Sequence, residues 1–342
     1  MSDLISVVIL NWNGGTYIRD CLDSIFDQDY STLEIIVVDN ASTDGSQEIV
    51  RREYRDVTLI CNQKNLGFGR GNNIGIRRAR GDYILVLNND AELEKGCISA
   101  MKEAIDSNRI YGACASKILL KDDIELVDAA GIAVFPDGLS IGRGRLEPEH
   151  LYDKDCEVFF ASGCCGLYKK EMLEDIKVLD EYYDEDFFAY ADDTDLGWRA
   201  RLRGWECVYT PAARVYHLHS RSVGTYSPLK AFLVERNRIW LQMKCFPVSL
   251  IFYGQCHTCL RYLYQAYGAF TGRGASGAFS KKHSRRELFW VLVKAYVAAL
   301  KGFFLMIRKR KAIQRRKKIT TRDIIHLLKL YGIGAKEMGL KG

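Results

Sequence analysis

Carboxylates and imidazoles gather at three places along the chain. The first place follows an apolar run, the second begins a helical pattern and the third ends a strand-like run: Asn88-Asn89-Asp90, Asp192-Asp193-Thr194-Asp195, and His217 with His219. A carboxylate at a helix N-terminus stays ionised and can act as a general base, although helix capping is the ordinary alternative. Imidazole can complete a metal shell that an aspartate begins. These residues therefore point to proton abstraction beside a divalent cation.

Apolar runs alternate with helical patterns along the first third of the chain. Strands are predicted for the continuous apolar runs at 5–10, 35–38, 57–61, 83–87 and 112–116, and helices for the periodic segments near 18–26, 47–54, 70–80 and 97–106. This alternation implies right-handed βαβ units and a mainly parallel, doubly wound α/β sheet. Ligands of such sheets bind beyond the carboxyl ends of the strands.

Small polar residues follow four of the predicted strands: Asn11–Asn13, Asp39–Asn40, Asn62–Asn65 and Asn88–Asp90. Each turn alone has a plain explanation, because Asn and Asp are common turn residues. Four such turns at one sheet edge favour a ligand site. The glycines of the segment 65–75 would let backbone amides approach a diphosphate. From 117 to 157 the pattern loosens, which predicts an excursion or a flexible loop.

Charge is distributed unevenly along the sequence. Residues 236–342 hold 23 of the 49 Lys and Arg but only three of the 43 Asp and Glu, so the residues before them carry a net charge of −14. We therefore expect a catalytic domain at 1–235 and a basic, helical, membrane-associating region at 236–342. Nucleic acid is not expected as a partner, since no binding module appears and the acidic part would repel phosphates. The eleven scattered cysteines indicate reduced thiols in the cytosol, and no secretory signal is evident at the N-terminus.

The basic region contains a twenty-residue apolar segment at 288–307, long enough to span a bilayer. Its bases Lys294 and Lys301 and the following Arg308 are seven residues apart, which favours a helix lying in the membrane interface. The basic runs Arg308–Lys311 and Arg315–Lys318 follow, each base contributing about 1 kcal/mol of attraction to anionic lipid. We expect an anionic membrane surface as a partner and a peripheral or monotopic protein at the cytoplasmic face of the cell membrane. A packed core helix is the alternative.

Five stretches, taken together, resemble the family 2 glycosyltransferases with the GT-A fold, in particular their rhamnosyltransferase-like branch: SVVILNWNG, IIVVDNASTDGS, NLGFGRGNNIG, YILVLNNDAEL and DEDFFAYADDTDLGWRARLRGW. The resemblance covers about residues 4 to 240. It implies a GT-A (Rossmann-like) catalytic domain that depends on Mg²⁺ or Mn²⁺ and inverts the configuration at the anomeric carbon of the transferred sugar. The implied donor is a nucleotide sugar, dTDP-rhamnose first and UDP-sugars second, and the implied acceptor is a lipid-linked or cell-surface glycan.

The resemblance also implies roles for individual residues. It assigns donor binding to seven positions: Asn11, Asn13, Asp39, Asn65, Gly67, Asn72 and Asn89. Asp90 closes the segment equivalent to the family's DxD motif and is expected to reach the cation, and His217 resembles a third metal ligand or a diphosphate contact. Asp193 aligns with the second residue of the family's Glu-Asp pair, the usual general base.

Two departures from the family pattern leave alternatives open. Asn88 stands where the first carboxylate of DxD is expected, and the base pair is Asp192-Asp193, which leaves Asp192 and Asp195 as rival bases. A non-catalytic protein that binds sugar nucleotides or glycans is one alternative, and Asn88 favours it. A processive polysaccharide synthase is another, but several membrane spans and a Gln-x-x-Arg-Trp motif would be expected and neither is found.

Overall fold

The computed structural model of the protein describes residues 3–218 and 227–341. The chain forms two compact units, Met1–Ile132 with Gly142–Ser220, and Ala133–Ile141 with Arg221–Gly342. The first unit is built around a ten-stranded sheet. The second unit is mainly helical.

Twelve strands are found in the described residues: β1 Ile5–Asn11, β2 Leu33–Asp39, β3 Thr58–Cys61, β4 Tyr83–Asn88, β5 Ala91–Leu93, β6 Tyr111–Leu120, β7 Asp123–Ala130, β8 Ile132–Val134, β9 Ser140–Gly142, β10 Cys156–Val158, β11 Cys165–Lys169 and β12 Glu206–His217. A short 3-10 helix lies at Glu149–Tyr152. The α-helices are α1 Ile18–Phe26, α2 Ser46–Glu53, α3 Phe68–Arg78, α4 Cys97–Asp106, α5 Lys170–Ile176, α6 Asp192–Leu202, α7 Pro228–Cys245, α8 Val248–Thr271, α9 Gly274–Lys282, α10 Arg285–Lys301, α11 Phe303–Arg316, α12 Thr321–Leu330 and α13 Ala335–Lys341.

The large sheet has the order β10-β12-β6-β11-β4-β1-β2-β3, with β5 paired to β12 and β7 to β6. Neighbours among β1, β2, β3 and β4 are parallel, as are β6 and β12. The mainly parallel α/β sheet predicted from the alternating pattern is confirmed. Strand β11 was not predicted; it lies antiparallel between β4 and β6.

The prediction of a loose excursion at 117–157 is wrong for much of that segment. Strand β6 continues to Leu120, and β7, β8 and β9 follow it. The alternation is hard to detect because β7 begins with three exposed positions and one half-buried position and ends in four buried ones. A half-buried strand with such an uneven pattern lacks the period of two that marks a strand in sequence.

The β-branched runs form the centre of the first unit because β1, β2 and β4 are buried on both faces. Helix α3 packs closely on β1: a Cβ at Gly75 would lie 2.4 Å from Cγ1 of Val8. Gly75 therefore permits helix-to-strand packing, and the role of the other glycines of 65–75 at a diphosphate stays a prediction.

In the second unit, four charged side chains form a buried cluster. The carboxylate of Asp137 accepts from Arg261 at 2.8 Å, and Glu235 accepts from Arg261 at 2.7 Å and from Arg238 at 3.0 Å. All four residues are at most about one-twentieth exposed. The two carboxylates balance the two guanidinium groups, so the buried cluster carries no net charge.

The composition of the apolar segment at 288–307 predicts a single helix, and this prediction is wrong. The segment is divided at Gly302 into α10 and α11, which are bent by 61°. Over residues 3–218 and 227–341 no single helix has the length and apolar character needed to cross a membrane, while the bent pair taken together meets both conditions. The basic run that follows is also partly internal: Lys309 is buried, and Arg310 donates to the carbonyls of Met243 and Phe246.

Candidate active site at the carboxyl edge of the sheet

The polar turns predicted to converge do so at one edge of the sheet. The parallel register places Asn11 beside Asp39, and Leu10 beside Asn88. The carboxyl ends of β1, β2 and β4 therefore lie side by side, and the residues that follow these strands face a common region.

A hydrogen-bonded chain joins these three turns. Asn89 donates from Nδ2 to Oδ1 of Asn11 at 2.8 Å, and Asn11 donates from Nδ2 to Oδ2 of Asp39 at 2.7 Å. The Asp39 carboxylate also accepts from the backbone and hydroxyl of Ser42 and from the side chain of Gln47. Because Asn11 and Asp39 are fully buried, these bonds fix the turns in place.

Asn13 extends the same region toward solvent. It adopts a left-handed backbone conformation with φ of 53°, its amide donates to the Ser42 hydroxyl at 2.9 Å, and its Oδ1 accepts from the Thr43 amide at 2.9 Å. A left-handed non-glycine residue costs free energy and often marks a functional turn. The turn after β1 is thereby bound to the turn after β2.

The predicted donor loop begins at the half-buried Asn65 and continues into the interior of the first unit. Oδ1 of Asn65 accepts from the amide of Gly67 at 2.9 Å, and Gly67 has φ of 82°. A Cβ at Gly67 would lie 2.3 Å from the carbonyl oxygen of Phe188, so only glycine fits there. Asn72, in contrast, is fully buried in α3 and donates to the carbonyl of Phe68 at 3.0 Å.

Asp90 and His217 meet at the end of the sheet. Strand β5 pairs antiparallel with β12 so that His217 lies opposite Ala91, the residue after Asp90. Oδ1 of Asp90 lies 3.4 Å from Nε2 of His217, and both side chains are more than nine-tenths buried. The structure thus brings the two predicted cation ligands together. His219 lies outside the described residues.

A divalent cation fits this pair by the chemistry of its donors. A carboxylate oxygen and an imidazole nitrogen are both accepted by Mn²⁺, and the carboxylate is a usual ligand of Mg²⁺. Two ligands at about 2.1 Å from an octahedral ion lie roughly 3 Å apart. The separation of 3.4 Å between the two atoms is close to that value.

The electrostatic surroundings of His217 are dominated by acids. Burial alone would lower the pKa of its imidazole, but the neighbouring Cys164 and hydrogen bonds to the carboxylates of Asp128 and Asp90 raise that pKa well above its usual value. Nδ1 of His217 lies 2.8 Å from Oδ2 of Asp128. The ring therefore lies between two carboxylates.

Asp193 is connected to the end of β4 through Gly163 and Cys164. Its Oδ2 accepts from the amide of Gly163 at 3.0 Å, while the carbonyl of the next residue, Cys164, accepts from the amide of Asn88 at 2.8 Å. Burial raises the pKa of Asp193, and hydrogen bonds from the backbone of Gly163 and Thr194 partly offset that rise. A carboxylate with a raised pKa is a better proton acceptor than an ordinary one.

The two rival carboxylates have different surroundings. Asp195 is fully buried, and its Oδ2 accepts from Nε of Arg199 at 2.8 Å. The guanidinium of Arg199 also donates to the carbonyls of Ile176 and Tyr182. Asp192 is buried, and its burial together with the neighbouring charge of Asp193 raises its pKa well above the usual value. Of the three, Asp193 is the one that is partly exposed.

A second acidic group lies in the segment before α6. One carboxylate oxygen from each of Glu181, Asp184 and Asp186 lies within 4.8 Å of the other two. The segment that follows has left-handed backbone conformations at Phe188, Tyr190 and Ala191. Strain of this kind concentrates near functional sites.

Some residues of the site were not found from the sequence. Asp128 contacts His217 from the segment that had been taken for an excursion, and Gly163 binds Asp193 from a stretch with no recognisable motif. Ser42, which donates to Asp39, lies inside the motif IIVVDNASTDGS, and Gln47 follows that motif directly. Hydroxyl and amide side chains close to a turn carboxylate could therefore have identified both residues from the sequence.

The mainly parallel sheet and its polar carboxyl edge agree with the architecture of the GT-A glycosyltransferases. Residues 6–177, half of the chain, match the model of glycosyl transferase family 2. The chain belongs to glycosyl transferase family 2.

Known proteins similar to the chain agree with this assignment. The N-acetylglucosaminyl-diphospho-decaprenol L-rhamnosyltransferase of Mycobacterium tuberculosis (strain CDC 1551 / Oshkosh) is 26% identical over 271 residues, which cover 70% of this chain and 87% of the relative. EpsH of Bacillus subtilis (strain 168), described as a glycosyltransferase, is 36% identical over 254 residues, 70% of this chain and 69% of the relative. The predicted rhamnosyltransferase-like resemblance is confirmed.

The fold is also similar to that of a solved enzyme. The mannosyltransferase PcManGT from Pyrobaculum calidifontis, in complex with GDP-Man and Mn²⁺, has a TM-score of 0.53 and 18% identity, with 88% of this chain and 86% of that chain covered. The likeness concerns the fold, and it agrees with the GT-A architecture expected from the sequence.

Proposed function

We propose that the protein inverts configuration as it transfers one sugar, with rhamnose as the first candidate, from a dTDP- or UDP-sugar to a lipid-linked or cell-surface glycan. The observation that carries the proposal is the connection of Asp193 to the end of β4 through Gly163 and Cys164. A base and a cation site on one sheet edge are what such a transfer needs. The name of the mycobacterial relative, which gives rhamnose and a diphospho-decaprenol-linked glycan, supports the choice of sugar and acceptor.

The donor would bind along the joined turns. Asn11, Asn13 and Asp39 hold the turns after β1 and β2 and would bind the base and ribose, and Asn65 with Gly67 would border the sugar diphosphate. Asn89 would act by holding Asn11. The buried Asn72 is assigned to support the loop from within α3.

The cation and the base have separate tasks. Asp90 and His217 would hold Mg²⁺ or Mn²⁺, which when bound neutralises the charge developing on the departing nucleoside diphosphate. The Asp193 carboxylate takes the proton of the acceptor hydroxyl while that oxygen bonds to the anomeric carbon. The bond from that carbon to the diphosphate oxygen breaks on the opposite side, and its electron pair leaves with the nucleoside diphosphate.

Release of nucleoside diphosphate tests this activity. The protein is incubated with dTDP-rhamnose or with UDP-sugars, with Mn²⁺ or with a chelator, and in the presence of a polyprenyl-diphosphate-linked glycan. We expect nucleoside diphosphate and an elongated glycan only with the cation and the right donor. Donor binding without release of nucleoside diphosphate would instead favour a non-catalytic binding protein.

We further propose that the second unit binds the cytoplasmic face of an anionic membrane. The support comes from α10, where Phe289, Val297 and Leu300 are exposed on one face and the buried Val291 and Ala295 occupy the opposite face. In α11, Phe304 is 84% exposed and exposed bases follow it. An exposed apolar face bordered by bases matches lipid tails beneath anionic headgroups.

Vesicle co-sedimentation tests the membrane proposal. We expect binding to vesicles of phosphatidylcholine with phosphatidylglycerol and much less binding to phosphatidylcholine alone. Phe304→Asp should weaken binding by roughly tenfold or more, since a buried aromatic side chain contributes about 1.5–3 kcal/mol. Leu151→Asp, at an exposed apolar position of the first unit, is the matched control. Equal binding by Phe304→Asp would contradict this assignment of the lipid-binding face.

A further inference from the structure

The segment around β7 places two charged residues behind His217. Oδ2 of Asp128 lies 2.8 Å from Nδ1 of His217, and Oδ1 of Asp128 is bonded to Nη1 of Arg145. On its other side, Nε2 of His217 lies 3.4 Å from Oδ1 of Asp90. Four side chains thus form one continuous line: Arg145, Asp128, His217 and Asp90.

The backbone places Asp128 in this line by a β-bulge. In the antiparallel pair of β6 and β7, Leu119 lies opposite Val127 and Ile118 lies opposite Ala129, so Asp128 is the extra residue between them. A bulge redirects the side chain of the extra residue and is common next to active sites. An unbroken strand would have placed this position in the regular pairing instead.

Arg145 is held in position by the same strand. The amide of Leu146 donates to the carbonyl of Val127 at 2.8 Å, and the amide of Val127 donates to the carbonyl of Glu147 at 2.9 Å. These two bonds place residue 145 alongside Asp128. The Asp128 side chain is 8% exposed and that of Arg145 is 24% exposed, so their contact is largely shielded from water.

We propose that Asp128, anchored by Arg145, is a positioning residue that holds the His217 ring with Nε2 directed at the cation beside Asp90. The inference rests on the proposed metal-dependent function. A ligating histidine needs its other ring nitrogen fixed by a carboxylate or carbonyl, and loss of such a partner lowers metal affinity by about 10–100-fold. The hold of Asp128 on His217 is more important in this protein because Asn88 replaces the first carboxylate of the family motif. Asp90 and His217 are then left as the protein ligands from this edge of the sheet.

The test measures cation affinity rather than turnover. Mn²⁺ is titrated into the full-length protein with saturating UDP or dTDP, and free Mn²⁺ is read from its electron paramagnetic resonance signal. We expect Asp128→Asn to raise the Kd for Mn²⁺ by about 10–100-fold while nucleotide affinity without metal stays within about twofold. Asp123→Asn, at an exposed position of the same strand, should leave the Kd unchanged.

Two further variants show whether Asp128 acts through His217. In a His217→Gln background, adding Asp128→Asn should change the Kd for Mn²⁺ by less than about twofold, because the residue it positions is gone. Arg145→Gln keeps Asp128 and should raise the Kd severalfold, which gives a readout if Asp128→Asn does not fold. Unchanged Mn²⁺ affinity in Asp128→Asn or in Arg145→Gln, or full additivity with His217→Gln, would overturn the positioning role. Absence of Mn²⁺ binding by the unmodified protein would instead overturn the metal-dependent function on which this inference rests.

Discussion

Replacing Asp193 and Asp195 by Asn, one at a time, should separate catalysis from stability, because the two carboxylates have different partners. Asp193 accepts hydrogen bonds from the amides of Gly163 and Thr194 and is partly exposed. An Asn keeps one acceptor oxygen there, so the loss is about one hydrogen bond, roughly 1 kcal/mol of unfolding free energy. The amide cannot take a proton, so turnover should fall by about 10²–10⁴-fold.

Asp195→Asn should have the opposite profile. It leaves the guanidinium of Arg199, which is 3% exposed, without its carboxylate. Breaking a buried ion pair from one side costs about 3–5 kcal/mol. Turnover per folded molecule should stay within a few-fold of the unmodified protein, since this carboxylate faces the interior.

The assay combines urea unfolding with nucleoside diphosphate release at saturating donor. A transition-state loss of about 3–5 kcal/mol for Asp193→Asn, with stability nearly unchanged, is the expected result. The reasoning fails if Asp193→Asn turns over normally. It also fails if Asp195→Asn is stable and inactive, which would move the base to Asp195, or if only Asp192→Asn loses turnover.

Three further outcomes follow from the structure. Because burial raises the pKa of Asp193, kcat should fall on the acidic side at a higher pH than an ordinary aspartate with a pKa of about 3.9 would give, as a kcat profile against pH can measure. Gly67→Ala should lower Tm more than Gly204→Ala: both glycines have positive φ, which costs about 1–3 kcal/mol in another residue, but only the first Cβ meets Phe188. Burial raises the pKa of Glu235, yet its two arginine partners lower it to about 2. Its contribution to stability should therefore be complete above about pH 4.5 and vanish toward pH 2, and Glu235→Gln should remove this part of the pH dependence of unfolding.

The sequence predicts the sheet edge well because its signal is local. A continuous apolar run followed by Asn or Asp marks where a strand ends, and parallel strands bring these ends together without further information. Asn11, Asp39 and Asp90 were found in this way. Their convergence needs only the strand direction, which the alternation with helices supplies.

The contacts behind the site could not be predicted because they join distant residues through an irregular backbone. Asp128 and His217 are 89 residues apart, and a bulge sets the direction of the Asp128 side chain. Helix α6 is buried on nearly every side, so hydrophobic periodicity could not decide which of its acids faces out. The antiparallel strand β11 lies in a mainly parallel sheet, and no repeat in the sequence predicts it.

The hydrogen-bonded chain through Asn11 has a consequence for how this site can evolve. Asn89 donates to Asn11, and Asn11 donates to Asp39, so the chain has a fixed direction. Changing Asn11 to Asp would set two carboxylates against each other. Changing Asp39 to Asn would leave an NH2 group facing either Asn11 or the Ser42 amide and Gln47, all of which are donors. We therefore expect related sequences to change the two residues together or to keep both.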